Sequence, residues 1–326
     1  MRKLLLIAVT LVFITSCGDD NKKKVKILPQ SASKINSLSV VMDNELWDNS
    51  VGETLREVLT APVYGLPQDE PLFSMNQIPT EVFTDFARNN RSIIKVEKGT
   101  ETGIKIFEDK YARPQKLVVV SGTTISEIKT QIKDNAERIV KAFKDEETKE
   151  YQRRIAISLK KTDDIKGKLG LDIRFSSAYR IAKAEDNFFW IRKDIPTGTL
   201  NLMLYELPLE AINKEENIIS QIIGIRDSVG KVHIQGPVEG SYMATEMSYA
   251  PYLFETTIDN KPTFEAKGIW DVKGAWKAGP FVNYSIEDKA NNRIIVAEGF
   301  VDAPSISKRE HVFELEAMIK SITVIK

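Results

Sequence analysis

The stretch TISEIKTQIKDNAERIVKAF (residues 124–143) places Ile125, Ile128, Ile132, Ala136, Ile139 and Phe143 at intervals of three and four, the period of one helical face. Thr124 and Glu127 stand at the separation of a capping box, in which a hydroxyl and a carboxylate satisfy free amides of the first turn. The spacing predicts one long amphipathic helix. What it packs on is read from the residues before it. Ser92 to Val96, Gly103 to Glu108 and Gln115 to Val120 are short runs rich in β-branched residues, expected as successive strands. Leu38 to Met42 opens the folded part in the same manner, stopped by Asp43 and Asn44, and a helix is expected from Val51 to Thr60.

The second half repeats this order. Leu171 to Phe175, Tyr179 to Ala184, Phe188 to Arg192 and Leu200 to Glu206 read as strands. They precede a helix carrying Ile218, Ile219, Ile222 and Ile223, which Gly230 can end. Thr263 to Ile269, Phe281 to Ile286 and Arg293 to Gly299 follow. A last helix then has Ser307 and Glu310 as a second capping box and Val312, Leu315, Ile319 and Ile322 on one face. The expected fold is α+β, with two lobes of mainly antiparallel sheet each packed by amphipathic helices. The shared plan suggests an internal duplication. The boundary falls in the charged, glycine-bearing stretch KKTDDIKGK (residues 160–168), giving lobes at 38–160 and 161–326.

The N-terminus supplies an address. Arg2 and Lys3 are basic, Leu4 to Ile14 are apolar, and Thr15-Ser16-Cys17 are small, the layout of a secretory signal. A permanent span needs roughly twenty apolar residues, so this run is too short. Ile14-Thr15-Ser16-Cys17 also resembles a bacterial lipobox. Residues 1–16 are then expected to be removed, leaving Cys17, the only cysteine in 326 residues, as the acylated head of the mature chain. Two acyl chains contribute on the order of 20 kcal/mol of membrane attachment, at about 0.8 kcal/mol per methylene. The alternative is an ordinary signal peptide with a cysteine near the cut, or a short membrane anchor. Residues 17–37, with Lys22, Lys23 and Lys24 in a row and no sustained period, read as a flexible tether. Asp19 and Asp20 are either solubilising charge or, as in surface lipoproteins the segment resembles, an export mark. The expected location is the cell envelope, lipid-anchored at the outer membrane, on its periplasmic face or at the cell surface.

Composition excludes several classes. Loss of Arg2 and Lys3 leaves 44 basic residues against 46 acidic ones, so no polybasic field remains for nucleic acid. With Cys17 acylated there is no thiol for a disulfide, and the fold stands on packing, which 42% apolar residues can supply. Only His233 and His311 exist, so no zinc site of the usual spacing can be built. Asp163-Asp164 and Asp145-Glu146-Glu147 read better as solvated charge than as carboxylate ligands. No glycine-rich phosphate loop, nucleophile elbow or zinc-metalloprotease helix occurs. No cofactor, metal or catalytic residue is assigned, although acid/base work by carboxylates that meet only in space stays open.

Two loops stand out. QGPVEGSYM (residues 235–243) has two glycines and a proline that force turns, bringing Glu239, Ser241 and Tyr242 out where binding groups tend to lie. The alternative is a tight connection that returns Tyr242 and Met243 to the core. Ser241 as a nucleophile has only His233 as a local base. Trp190, Trp270 and Trp276 could build an aromatic platform for a sugar or peptide, or serve as core. The expected binding surface is Gly236, Glu239, Ser241, Tyr242, Trp270 and Trp276. The second loop, APVYGLPQDEPLF (residues 61–73), holds three prolines and a glycine yet keeps Val63, Tyr64, Leu66 and Phe73. It is expected as an ordered loop that covers a sheet edge or forms the wall of a groove.

Several long segments carry a resemblance: VVMDNELWDNSVGETLREVLTAPVYGLPQDEPLF, DNFFWIRKD, RDSVGKVHIQGPVEGSYM, and GIWDVKGAWKAGPFVNYSIED with IIVAEGFVDAPSISKREHVFELEAMIKSI. From about Leu38 to the end the chain is similar to DUF4837, a family of uncharacterised lipoproteins from Bacteroidetes. The resemblance implies the lipobox and the envelope address, and it carries no activity or catalytic residue. The expectation is therefore a non-catalytic binding or assembly module, tethered to the membrane by its N-terminal lipid, with an envelope protein or glycan as partner and no nucleic acid. The alternative is a hydrolase using carboxylates in a cleft between the lobes. A deep polar pocket with converging Asp and Glu would favour the hydrolase, and a shallow, partly aromatic surface the binding module.

Overall fold

The computed structural model of the chain describes residues 27–325. The signal segment, Cys17 and the tether up to residue 26 lie outside the described residues.

In the N-terminal lobe, β1 (Ser37–Val41), β2 (Ser74–Ile78), β3 (Ser92–Lys98), β4 (Gly103–Glu108) and β5 (Lys116–Gly122) form a sheet of order β2-β1-β3-β5-β4. The class is α+β as expected, but the antiparallel expectation fails for this sheet. β2, β1, β3 and β5 are parallel, and only β4 runs against its neighbour. β1 returns to β2 through helices α1 (Asn44–Trp47) and α2 (Ser50–Leu59), the crossover that parallel pairing requires. The strand sequences SVV, SIIKV and KLVVV are nearly continuous apolar runs, as suits strands covered on both faces. One face packs Val40, Ile94 and Val118 beneath α2, α3 (Ile125–Asp134) and α4 (Ala136–Ile155). The other buries Val41, Ile93 and Leu117 under Phe83.

The stretch at 124–143 is helical but broken at Asn135, whose side chain donates to the Gln131 carbonyl at 3.0 Å. Thr124 caps α3 by accepting from the Glu127 amide at 3.2 Å. The Glu127 carboxylate reaches the Thr123 amide (2.8 Å) in place of the Thr124 amide that a capping box would use. Hydroxyl hydrogen bonds from Thr123 and Thr102 hold its pKa down at about 2. α4 continues past Phe143 to Ile155 and carries Glu146 and Glu147 inward. Those two are buried, so the expectation of solvated charge fails for them and holds for Asp145 and, in the other lobe, for Asp163 and Asp164. Glu147 accepts from Arg91 Nη2 (2.7 Å), Ser92 Oγ (2.6 Å) and the Asn36 amide (3.0 Å).

That last bond begins a correction to the tether. Ser31 donates to the Arg113 carbonyl at 3.0 Å, Ala32 to Asn89 at 2.9 Å, and Arg113 back to Pro29 at 2.9 Å. The folded body therefore starts near Pro29 and not at Leu38. These are backbone bonds, which side-chain periodicity does not register.

In the C-terminal lobe, the charged boundary stretch is largely a helix, α5 (Asp163–Leu169), with Ile165 and Leu169 buried. β6 (Leu171–Asp172) pairs with the terminal β15 (Thr323–Val324). β7 (Arg180–Ala184), β8 (Phe188–Ile195), β9 (Gly198–Pro208), β10 (Tyr242–Thr245), β11 (Tyr252–Ile258), β12 (Lys261–Lys273), β13 (Ala275–Asp288) and β14 (Arg293–Asp302) make one antiparallel sheet. Its order is β10-β12-β13-β14-β9-β8-β7, with β11 also on β12. One face is covered by α7 (Arg309–Ile319), the other by α6 (Ile218–His233). Gly230 lies inside α6 and does not end it. A Cβ there would stand 2.5 Å from the Met243 carbonyl, so the glycine lets α6 sit directly on β10. The two sheets differ in direction and order, so the repeated plan is not a repeated fold.

The lobes are joined through α4 and α7. Tyr151 meets Phe313 edge-on at 6.3 Å, and Gln152 donates to the Ala317 carbonyl at 2.9 Å. The expected Ser307–Glu310 box does not form. Glu70 of the other lobe accepts from the Lys308 and Arg309 amides at 2.6 and 3.0 Å, the position a capping carboxylate takes. Glu310 instead receives Asn36 Nδ2 at 3.2 Å. Near this seam Lys267 Nζ lies 2.6 Å from Glu316 and 2.9 Å from Glu265. Burial pushes the Glu316 carboxyl up, but Lys267, Lys320 and Lys144 outweigh it and hold the group below its ordinary range.

Candidate functional site: a groove between the lobes

The loop at 61–73 leaves α2 and crosses to the other lobe. Its neck is closed by Val63 donating to the Glu70 carbonyl and Leu72 to that of Ala61, both at 2.9 Å. Gly65 has φ +80°, and a Cβ there would come within 2.8 Å of Lys267 Cβ, so the loop lies directly on β12. Tyr64 packs 4.8 Å from Tyr252 and 5.5 Å from Phe254 of β11, ring centre to ring centre. The loop thus covers a strand and walls a groove, the two roles expected of it.

That groove encloses about 870 Å³, within the range of ligand sites. Gly268 and Ile269 of β12 line it from the sheet side. Leu66 and Leu72 of the loop, Val58 of α2 and Val140 of α4 line it from the N-terminal lobe, and Tyr249 and Tyr252 from the C-terminal lobe. Its charged lining residues are Glu57, Asp69 and Glu137, all carboxylates. Glu57 has Lys133 at 3.4 Å, while Asp69 and Glu137 have no ion-pair partner among the described residues. The surroundings are mostly apolar and aromatic, with anionic points and, among the described residues, no cation in the lining itself. Among the described residues, no three or more His, Cys, Asp and Glu side chains are grouped to hold a metal.

The structure scatters the surface expected from sequence. Gly236 and Trp270 line a second, smaller pocket of about 210 Å³ with Trp190 and Asn201, where Trp190 Nε1 donates to Asn201 Oδ1 at 3.0 Å. Trp270 itself is core: it is 2% exposed, donates to the Val301 carbonyl at 3.2 Å and meets Phe300 edge-on. Ser241 is buried, and its hydroxyl is spent on the Val238 amide and carbonyl. Gly236 donates to the Ser241 carbonyl at 2.8 Å, so the loop is a closed turn. Met243 returns to the core, Tyr242 is half-exposed and Glu239 is exposed, outside the pocket lining. Trp276 is fully exposed and also lines neither space. His233 stacks on Phe188 at 3.8 Å with Nδ1 2.9 Å from Lys183 Nζ, and burial together with Lys183 lowers its pKa. No Ser241–His233 pair forms. The sequence reading missed Glu57, Glu137, Tyr249 and Tyr252. The tyrosines had a signal in the SYAPYLF stretch (residues 248–254), an aromatic pair around a proline beside an unassigned strand, whereas Glu57 and Glu137, on α2 and α4, had none.

The pattern of the Domain of unknown function (DUF4837) matches residues 158–321, about half of the chain. The chain belongs to the DUF4837 family. Residues 31–156 match a second domain of unknown function, DUF8532. DUF4837 therefore accounts for the C-terminal lobe and not for everything from Leu38 onward, and the start of the second match at residue 31 agrees with a body that begins near Pro29. No curated protein matches. Solved structures of low similarity include the Ran-binding protein Mog1p of Saccharomyces cerevisiae, at 9% identity and TM-score 0.32, covering 48% of this chain and 91% of that one. LpqN of Mycobacterium tuberculosis, described as involved in cell envelope biogenesis, gives 10% identity and TM-score 0.29, covering 48% and 83%. A Bacteroides thetaiotaomicron structure gives 14% and 0.22, covering 48% and 46%. At these scores none informs the role of the DUF4837 lobe.

Proposed function

We propose that this DUF4837 member is an envelope lipoprotein, acylated at Cys17, that acts as a non-catalytic binding module. Its inter-lobe groove receives an extended, largely apolar segment of a partner protein that presents a lysine or arginine. The observation that carries the reading is the groove's chemistry: apolar and tyrosine-rich walls whose charged members, Glu57, Asp69 and Glu137, are all acidic. Apolar walls supply affinity and a few placed charges supply register. A carboxylate hydrolase needs two carboxyl groups flanking a polar cleft, and this groove is mainly apolar.

Calorimetry with heptapeptides alternating Leu or Phe with Lys tests the ligand class. The Lys peptides should bind, the matched Glu peptides should not, and the double change Asp69→Asn with Glu137→Gln should weaken binding roughly tenfold. Binding of an oligosaccharide with no response to the peptides would overturn the assignment. Intact mass of the protein purified from membranes tests the anchor: acyl chains on Cys17 with residues 1–16 absent support it, and a bare thiol contradicts it.

A further inference from the structure

The described chain leaves the folded body at Ile27, and the residues around that exit form a braced tip. Gln115, buried, ties the β4–β5 hairpin to the turn at 85–90: its Nε2 donates to the Arg88 and Asn90 carbonyls at 2.7 and 2.8 Å, and its Oε1 accepts from the Tyr111 amide at 2.9 Å. The incoming segment crosses the same seam, through Ser31 on Arg113 and Ala32 on Asn89. On this brace Phe86 is 71% exposed and Ile27 is 92% exposed. Arg88 and Lys110 lie over the Tyr111 ring at 5.2 and 5.7 Å. Arg113 pairs with Asp109 at 2.6 Å. Phe86 is thus an aromatic ring held in water on a braced turn, next to the exposed Asp85, while the exposed cations Arg88 and Lys110 stand on the nearby Tyr111 ring. Exposed aromatic and basic side chains on one rigid tip are the kinds that seat in a headgroup layer.

Where the chain exits says what covers the tip. Ten peptide steps separate Cys17 from Ile27, a reach of at most about 35 Å at roughly 3.5 Å each. Lys22, Lys23, Lys24 and Lys26 fall within those steps. We propose that this tip rests on the lipid leaflet that holds the anchor, with Phe86 and Ile27 entering the headgroup region and Arg88 and Lys110 meeting anionic headgroups. The proposal rests on acylation of Cys17 and adds a fixed orientation: the face of the N-terminal lobe that carries the exit is turned to the membrane, and the exposed Trp276 of the other lobe stays in water.

Because Cys17 is the only cysteine and is acylated in this reading, Phe86→Cys gives one free thiol for a nitroxide label, and Ile27→Cys and Trp276→Cys give a second tip position and a control. The lipidated full chain is placed on vesicles of phosphatidylethanolamine and phosphatidylglycerol. Labels at 86 and 27 should lose collisions with a water-soluble nickel chelate several-fold relative to the label at 276, and gain collisions with oxygen. Equal nickel access at all three positions, on chains that remain vesicle-bound, would overturn the orientation while leaving the anchor standing. Dipolar broadening between labels at 86 would point to a second copy covering the tip and would also overturn it. A chain that does not associate with vesicles removes the anchor and this proposal together.

Discussion

The loops at Ala61–Phe73 and Gln235–Met243 both combine glycine with proline, and they are held in different ways. The second closes on itself, with Ser241 tied to Val238 and Gly236 to Ser241 inside one lobe. The first is held from the other lobe: Glu70 caps α7, Gly65 lies on β12 and Tyr64 packs against β11. A local sequence specifies that a segment must turn. Whether the turn becomes a mere connection or the wall of a site is decided by what it meets across the molecule.

Two glycines separate these cases most sharply. Gly65→Ala places a methyl in a left-handed conformation and against Lys267 Cβ, and should cost about 3 kcal/mol in urea unfolding and abolish peptide binding. Gly240→Ala, at φ +76° with nothing within 4 Å, should cost about 1 kcal/mol and leave binding unchanged. Equal costs would show that packing on β12 is not what sets the first loop apart. Glu70→Ala leaves two amides of α7 without their acceptor and should cost about 2 kcal/mol while loosening the groove wall. Hydrogen exchange at Lys308 and Arg309 would report it.

Acid should act on the seam beside that wall. The folded-state pKa of Glu316 is depressed, because Lys267, Lys320 and Lys144 outweigh its burial. The unfolded chain therefore binds that proton more readily, and the stabilisation is complete above about pH 4.5 and lost as pH falls below it. Thermal melts of Glu316→Gln should show a flatter acid limb than the parent, with a difference on the order of 2 kcal/mol across the window. Ser241→Ala should have an effect as small as that of Gly240→Ala, about 1 kcal/mol from a turn hydrogen bond, with peptide affinity unchanged. A loss of affinity there would restore the self-closed loop as part of the site.

The helices were legible because buried apolar residues recur at the helical period, Ile128 and Ile132 in α3 and Val312, Leu315 and Ile319 in α7, although Ile125 stays exposed and α7 is buried on its other sides as well. Most strand positions were legible as well, with β2, β10 and β11 among the exceptions, but strand direction was not. Short apolar runs look alike whether their neighbours run with or against them, and the parallel pairings β1–β2, β1–β3 and β3–β5 are set by which strands meet in space. β11 was missed because TyrLeuPheGluThrThrIle has no clean alternation at an edge. Glu147 read as solvated charge and Glu70 carried no reading, since nothing local announces Arg91 or the first turn of α7. The groove was visible only as one wall, the proline-rich loop. Its opposite wall is carried by residues more than a hundred positions later.

The most direct test is methyl NMR of the full chain titrated with a Leu/Lys heptapeptide. The account predicts shifts at Leu66, Leu72 and Val140, with Ile234 and Val272, which line the smaller pocket, unmoved. Shifts confined to Ile234 and Val272 would contradict it.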